Sequence, residues 1–216
     1  MVATYQGYYL ALLGDDGVGK TSFQAKRKLI KVDGESRIIE LIDRFGSGVP
    51  HNPQWASMYV SSMDCILLLY STTSATSFAR VQEYWFPQIC RARMTLNPNL
   101  ERPNSFMTVV VGTKADLVDK REVSSQAGKD FADSIGCSFF ELGFNDDGST
   151  ITNLFEHIVR AVDTAKHIQS GALSKAKHAR SGTAVKWIKQ YNPLKALKNI
   201  WTRCRDYLGD IEFFGL

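Results

Sequence analysis

No stretch of this 216-residue chain is apolar for the roughly 20 residues that a membrane-crossing helix needs. Its first residues lack the basic start and apolar core of a secretory signal peptide. Its last five, Glu212-Phe213-Phe214-Gly215-Leu216, contain no cysteine, and the last cysteine is Cys204, so C-terminal prenylation is not expected. Cysteine is sparse: Cys65, Cys90, Cys137 and Cys204 show no C-x-x-C spacing. Scattered thiols in a body of this size suit a reducing compartment better than a disulfide framework. There is no internal repeat. The expectation is a cytoplasmic protein, with peripheral contact to a membrane left open.

What is present is an ordinary globular composition, 44% hydrophobic and 22% charged, enough for one well-buried domain and a tail. The net charge of +4 is unevenly spread. Lys175 to Arg205 holds nine Lys or Arg and no acid, whereas elsewhere 17 Lys and Arg face 22 Asp and Glu. An acidic body without a recognition motif argues against nucleic acid as partner.

Apolar runs at 7–13, 28–33, 36–43, 64–71, 106–113 and 137–143 read as strands. The second and third flank Gly34 and form an antiparallel hairpin. Helical spacing covers 75–95, 124–136 and 150–169, the last with Ile151, Leu154, Phe155, Ile158, Val159 and Val162 on one face, and Ser149 or Thr150 as its cap. Alternation of this kind implies an α/β fold: a mostly parallel sheet with helices on both faces. Residues 1–169 make this domain, 170–191 a linker, and 192–216 a basic amphipathic tail helix and terminus. In that helix Leu194, Leu197, Ile200, Trp201, Cys204 and Leu208 share a side. It suits an anionic membrane surface, or alternatively packing on the domain or disorder.

The segment Gly14-Asp15-Asp16-Gly17-Val18-Gly19-Lys20-Thr21 fits the phosphate-loop pattern G-x-x-x-x-G-K-[ST] at every fixed position. Glycines let successive N–H groups point into one concavity. Lys20 can reach the terminal phosphates, Thr21 can ligate Mg²⁺, and a helix beginning there would add its positive end. Two weaker signals end other strands: Asp43-Arg44-Phe45-Gly46 the third, Thr113-Lys114-Ala115-Asp116 the fifth. Ligands of open α/β sheets bind outside the carboxyl ends of strands, so all three converge on one rim. Trp85 and Phe86 read as helix packing with no ligand role, and His51 has none assigned.

Together these motifs make the chain resemble the Ras superfamily of small GTPases from about Tyr8 to Lys166, in a P-loop NTPase fold. The resemblance implies a signalling protein that binds GTP and GDP with Mg²⁺ and hydrolyses GTP to GDP. It implies that Gly14, Asp15, Asp16, Gly17, Val18, Gly19, Lys20, Thr21 and Ser22 embrace the phosphates, with Lys20 and Thr21 catalytic. Thr21 and, through a water, Asp43 would hold the metal. The Gly46 N–H would meet the γ-phosphate. Asp116 would accept from the N1 and N2 hydrogens of guanine, which adenine cannot supply, and the Lys114 stem would lie over the base. Leu117 would lie beside it. Thr113 stands where many relatives have Asn, though Rho-type members use Thr. Leu142-Gly143-Phe144 stands for the usual Ser-Ala-Lys, with Gly143 and Phe144 near the base. Exchange factors and effector proteins are the implied partners.

The chain also departs from the family. The helix and effector loop that normally follow the phosphate loop are largely missing: only Ser22 to Arg27 precede the second strand. No threonine lies between Thr21 and Asp43, so the γ-phosphate-sensing residue is gone. Ser47 replaces the water-orienting Gln, and Asp16 replaces a small residue. Three readings follow: a GTP-binding protein with slow or absent hydrolysis, a pseudo-GTPase interaction module that binds nucleotide weakly or not at all, or a sequence lacking an exon. An uncovered sheet patch and a weakened fold are also expected, unless an element such as the tail helix covers the gap.

Overall fold

A computed structural model describes residues 5–23, 27–43, 58–96, 107–143 and 148–169. Among them are six strands: β1 (Gln6–Leu13), β2 (Arg27–Val32), β3 (Glu35–Ile42), β4 (Cys65–Ser71), β5 (Met107–Thr113) and β6 (Ser138–Leu142). They form one sheet in the order β2-β3-β1-β4-β5-β6. Every neighbouring pair is parallel except β2 and β3. That pair is the expected hairpin: Asp33 and Gly34, both at positive φ, supply the tight turn that twisted strands favour. The α/β reading is therefore correct, and each strand lies within a residue of its sequence-derived bounds.

Strand β4 is buried along its whole length, as an apolar run at the centre of a parallel sheet must be. Two apolar layers flank it. On one face Leu13, Ile66, Leu68 and Val110 pack with α1 (Ala75–Arg80), α2 (Phe86–Leu96) and α3 (Ser125–Ser134). On the other, Leu10, Leu12, Leu67 and Val109 meet Leu154, Phe155, Ile158 and Val162 of α4 (Ser149–Gln169).

Several expectations need correction. The single helix over 75–95 is interrupted by a π turn, Val81–Trp85, after which the Phe86 N–H donates to the Val81 carbonyl five residues back. Helix α4 starts at Ser149, so neither Ser149 nor Thr150 precedes it as a cap; Gly148 does, and its carbonyl accepts from the Thr152 N–H. Cys65 and Cys137 are buried free thiols, but Cys90 is disulfide-bonded, against the all-thiol expectation.

Among the described residues one face of β2 and β3 is covered, while Leu29 and Tyr9 stay exposed on the other. Ile30, Val32, Ile39 and Leu41 are buried in one cluster with the apolar side of α4, which packs directly on β2. Polar ties fix that seam. Arg160 donates to Asp33 in the hairpin turn at 3.1 Å, Tyr8 donates its hydroxyl to Asp163 at 2.6 Å, and the Lys28 ammonium lies 5.7 Å from the Phe155 ring centre. Burial of its hydroxyl against Asp163 raises the Tyr8 pKa far above its usual value. The proposed linker and tail helix lie outside the described residues.

Candidate nucleotide-binding site

The carboxyl ends of β1 and β5 bring two loops together. The chain leaves β1 through the phosphate loop and makes a 3-10 turn over Lys20–Phe23. Among the described residues the helix expected to lend its positive end is a four-residue 3-10 turn, and any grip on anions falls chiefly to the loop's own amides and Lys20. Gly17 and Gly19 adopt positive φ of 76° and 93°, conformations that side chains resist. Gly14 is needed for space: a Cβ there would sit 2.4 Å from the Leu69 carbonyl oxygen.

Lys20 is buried inside the curl. Its ammonium donates to the carbonyls of Gly14 and Asp15, each at 2.8 Å, and pairs with the exposed Asp16 carboxylate at 3.5 Å. The lysine is therefore held over the loop's concavity. Asp16 extends its charge towards the ammonium, whereas the Asp15 carboxylate turns the other way. Asp15 Oδ1 accepts from the Trp85 indole N–H at 2.8 Å and pairs with Arg80 Nε at 3.3 Å. Trp85 is fully buried, and the Arg80 guanidinium lies 4.3 Å from the Tyr84 ring centre. Sequence reasoning missed Trp85 as a partner of the loop, because 70 positions separate the two residues and its type fits plain core packing.

Thr113 joins the loop to the end of β5. Its buried hydroxyl lies 2.5 Å from the Val18 carbonyl oxygen and 3.0 Å from that of Tyr70. One proton thus serves a phosphate-loop carbonyl and a central-strand carbonyl. Beyond Thr113 the chain turns sharply at Lys114, at φ 58°. The turn is held by the Thr72 hydroxyl donating to the Lys114 carbonyl at 3.0 Å, and by the Ala115 N–H donating to the Leu142 carbonyl at 3.0 Å.

These loops wall a cavity of about 710 Å³. Gly19, Thr113, Lys114, Asp116, Leu117 and Gly143 line it, with Ser22, Phe23 and Ile151 beside them. The structure thus gathers Gly19, Ser22, Thr113, Lys114, Asp116, Leu117 and Gly143 around one space, whereas Gly14, Asp15, Asp16, Gly17, Val18, Lys20, Thr21 and Asp43 are not among its described lining residues. Phe23 and Ile151 were not singled out from the sequence. Thr21 and Asp43 are both exposed, on the 3-10 turn and just past the end of β3. Gly46, Ser47 and Phe144 lie outside the described residues.

A model of the Ras family matches residues 22–164, well over half of the chain. The chain belongs to the Ras family. Members of this family are small GTPases of signalling that bind GTP and GDP, in general with Mg²⁺. The Ras-like protein rasW of Dictyostelium discoideum is 27% identical over 91% of this chain and 90% of its own length. The Ras-like protein rasZ of the same organism is 29% identical over 82% of this chain and 84% of its own. Protein ras-2 of Neurospora crassa is 28% identical over 62% of this chain and 70% of its own. A Ras-family sheet also accounts for the strand order, with the antiparallel β2 at one edge.

Proposed function

We propose that this protein binds a guanine nucleotide through residues 14–22 and 113–117 with Gly143, and hydrolyses GTP slowly or not at all. The observation that carries the reading is the Thr113 hydroxyl. It ties the phosphate loop to the segment bearing Lys114 and Asp116 at the mouth of a nucleotide-sized cavity. Asp116 supplies the carboxylate that a guanine edge needs, and the Lys114 stem an apolar cover. Lys20 would exchange its carbonyl partners for the β- and γ-phosphates.

The residues present fit Mg²⁺ in kind. Thr21 and Asp43 offer hard oxygen donors, and this ion binds through few protein ligands plus waters and phosphate oxygens. Thr21 would hold it directly and Asp43 through a water. When bound, the ion would neutralise charge on the β- and γ-phosphates.

Slow turnover follows from the chain's own residues. Ser47 is too short to orient a water as glutamine does. No threonine follows Thr21 before β3. The Asp16 carboxylate, beside Lys20, would face a γ-phosphate of like sign. The interaction-module reading draws support from the same place: Lys20 already has two carbonyls and a carboxylate as partners. Titration with fluorescent GDP and ADP in Mg²⁺ separates the two. Guanine-selective binding supports the first reading, and no binding at high micromolar nucleotide supports the second. Exchange factors and effectors belong to the first reading, as does a membrane role for the basic tail.

A further inference from the structure

Helix α2 is buried over a broad arc. Phe86, Pro87, Ile89, Cys90 and Ala92 are all buried, whereas Arg91 is exposed. At 3.6 residues per turn the buried positions cover more than half of the circumference, against the roughly 100° stripe of a helix resting on one layer. Helix α3 takes up one flank, where Phe131 meets Phe86 edge-on with ring centres 6.2 Å apart. Pro87 and Cys90 lie beyond that flank. Cys90 is disulfide-bonded. The chain has four cysteines, and Cys65 and Cys137 are thiols. Within one chain this leaves Cys204 as its partner. In the tail helix read from the sequence, Cys204 falls on the apolar side, at helical spacing from Leu197, Trp201 and Leu208. A bond made from that side turns the apolar residues towards α2 and leaves Lys195 and Lys198 facing water.

We infer that Cys90 is bonded to Cys204, and that the apolar side of residues 192–208 docks on α2 beside Pro87 and Cys90 as a latch that reduction opens. The reach is sufficient. Helix α4 ends at the rim where the strands begin, with Lys166 pairing with Asp64 just ahead of β4 at 2.7 Å. Helix α2 runs down to the same rim, because β5, parallel to β4, follows it. Residues 170–191 span roughly 25 Å as a flexible coil, enough to pass from one face of the sheet to the other. Closing the latch needs a two-electron oxidant, and a small-molecule disulfide such as oxidised glutathione supplies it. The Cys204 thiolate attacks one sulfur of that disulfide and releases one thiolate. The Cys90 thiolate then attacks the Cys204 sulfur and releases the second. Two protein thiols are oxidised, and the small disulfide leaves as two thiols. While closed, the latch hides the apolar side that a membrane would otherwise take up. None of this depends on whether nucleotide binds.

The test starts from the full-length chain oxidised with oxidised glutathione, alkylated in denaturant and digested without reductant. Mass spectrometry should find the Cys90 peptide joined to the Cys204 peptide, with Cys65 and Cys137 alkylated, in a protein that runs as a monomer on a non-reducing gel. Cys204→Ser should leave Cys90 alkylated. A bond from Cys90 to Cys65 or Cys137, a disulfide-linked dimer, or four alkylated cysteines overturns the inference. Docking is read separately, as the rate at which dithiothreitol opens the bond in the folded protein. Leu197→Glu and Trp201→Glu should speed opening on the order of tenfold by lifting the helix off the sulfurs. Lys195→Glu, on the opposite side, should leave the rate unchanged. Equal rates in all variants mean a tail held by the bond alone, and overturn the docking. So does equal acceleration by Lys195→Glu.

Discussion

Gly143 has no room for a side chain: a Cβ there would lie 3.0 Å from Asp116 Cβ and 3.1 Å from its backbone nitrogen. The glycine leaves Asp116 the space it occupies beside the cavity. Asp116→Ala should therefore weaken GDP binding by roughly tenfold to a hundredfold and abolish preference over ADP, since a bidentate pair contributes about 1–3 kcal/mol of discrimination. Competition titration with the two diphosphates checks this. Two buried groups away from the site give further predictions. The Tyr70 hydroxyl is buried without a hydrogen-bond partner, so Tyr70→Phe should be neutral or stabilising by about 1 kcal/mol in chemical denaturation. His157 lies 2.8 Å from the Ser138 hydroxyl, and burial, helped by Arg160, lowers its pKa from 6.5 to about 4. Between those values the unfolded chain binds the proton and the folded chain does not. Stability from this residue is therefore complete above about pH 6.5 and falls as the pH drops towards 4, by up to about 3 kcal/mol. His157→Gln should flatten that part of the stability–pH curve.

Helix α4 does the work of two elements. It buries Phe155, Ile158 and Val162 against the centre of the sheet and also packs on β2, the strand that follows the shortened segment. Phe155→Ala should accordingly cost about 3–5 kcal/mol, the upper range for a core truncation, measured as a shift in denaturant midpoint. Sequence periodicity located this helix and all six strands, because buried faces impose periods of two and 3.6 on residue type. It did not reveal that α4 covers β2. The residues it counted as core are the same whichever strand lies beneath them. The π turn was hidden for a related reason. Val81–Trp85 continues a helical pattern, and only the Phe86 N–H reaching back to Val81 marks the change. At the site, the phosphate loop and Asp116 were legible because their chemistry is tied to short spacings. The Trp85–Asp15 bond and the cavity-lining Phe23 and Ile151 depend on long-range packing, which leaves no local trace.

For the molecule as a whole, nucleotide binding and folding are one equilibrium. A ligand that binds only the folded chain stabilises it by about 2.7 kcal/mol at a hundredfold excess over Kd. For a chain of this length that corresponds to a rise in melting temperature of roughly 5–10 °C. Differential scanning calorimetry with GDP and Mg²⁺ should show it, and ADP should not reproduce it. The charge division acts at the same scale. Nine basic residues and no acid gather between Lys175 and Arg205, while the rest of the sequence carries more acids than bases.

The shared proton of Thr113 has a consequence for anyone redesigning base preference. On the proposed guanine reading, the hydroxyl at the start of the base-reading segment also braces the Val18 peptide, so residues 113–116 cannot be exchanged as a detachable cassette. A graft that altered the preferred purine while discarding this threonine would slacken the grip on phosphate in the same stroke. On that reading selectivity and tightness would share a single joint, and a redesign must first provide a substitute brace.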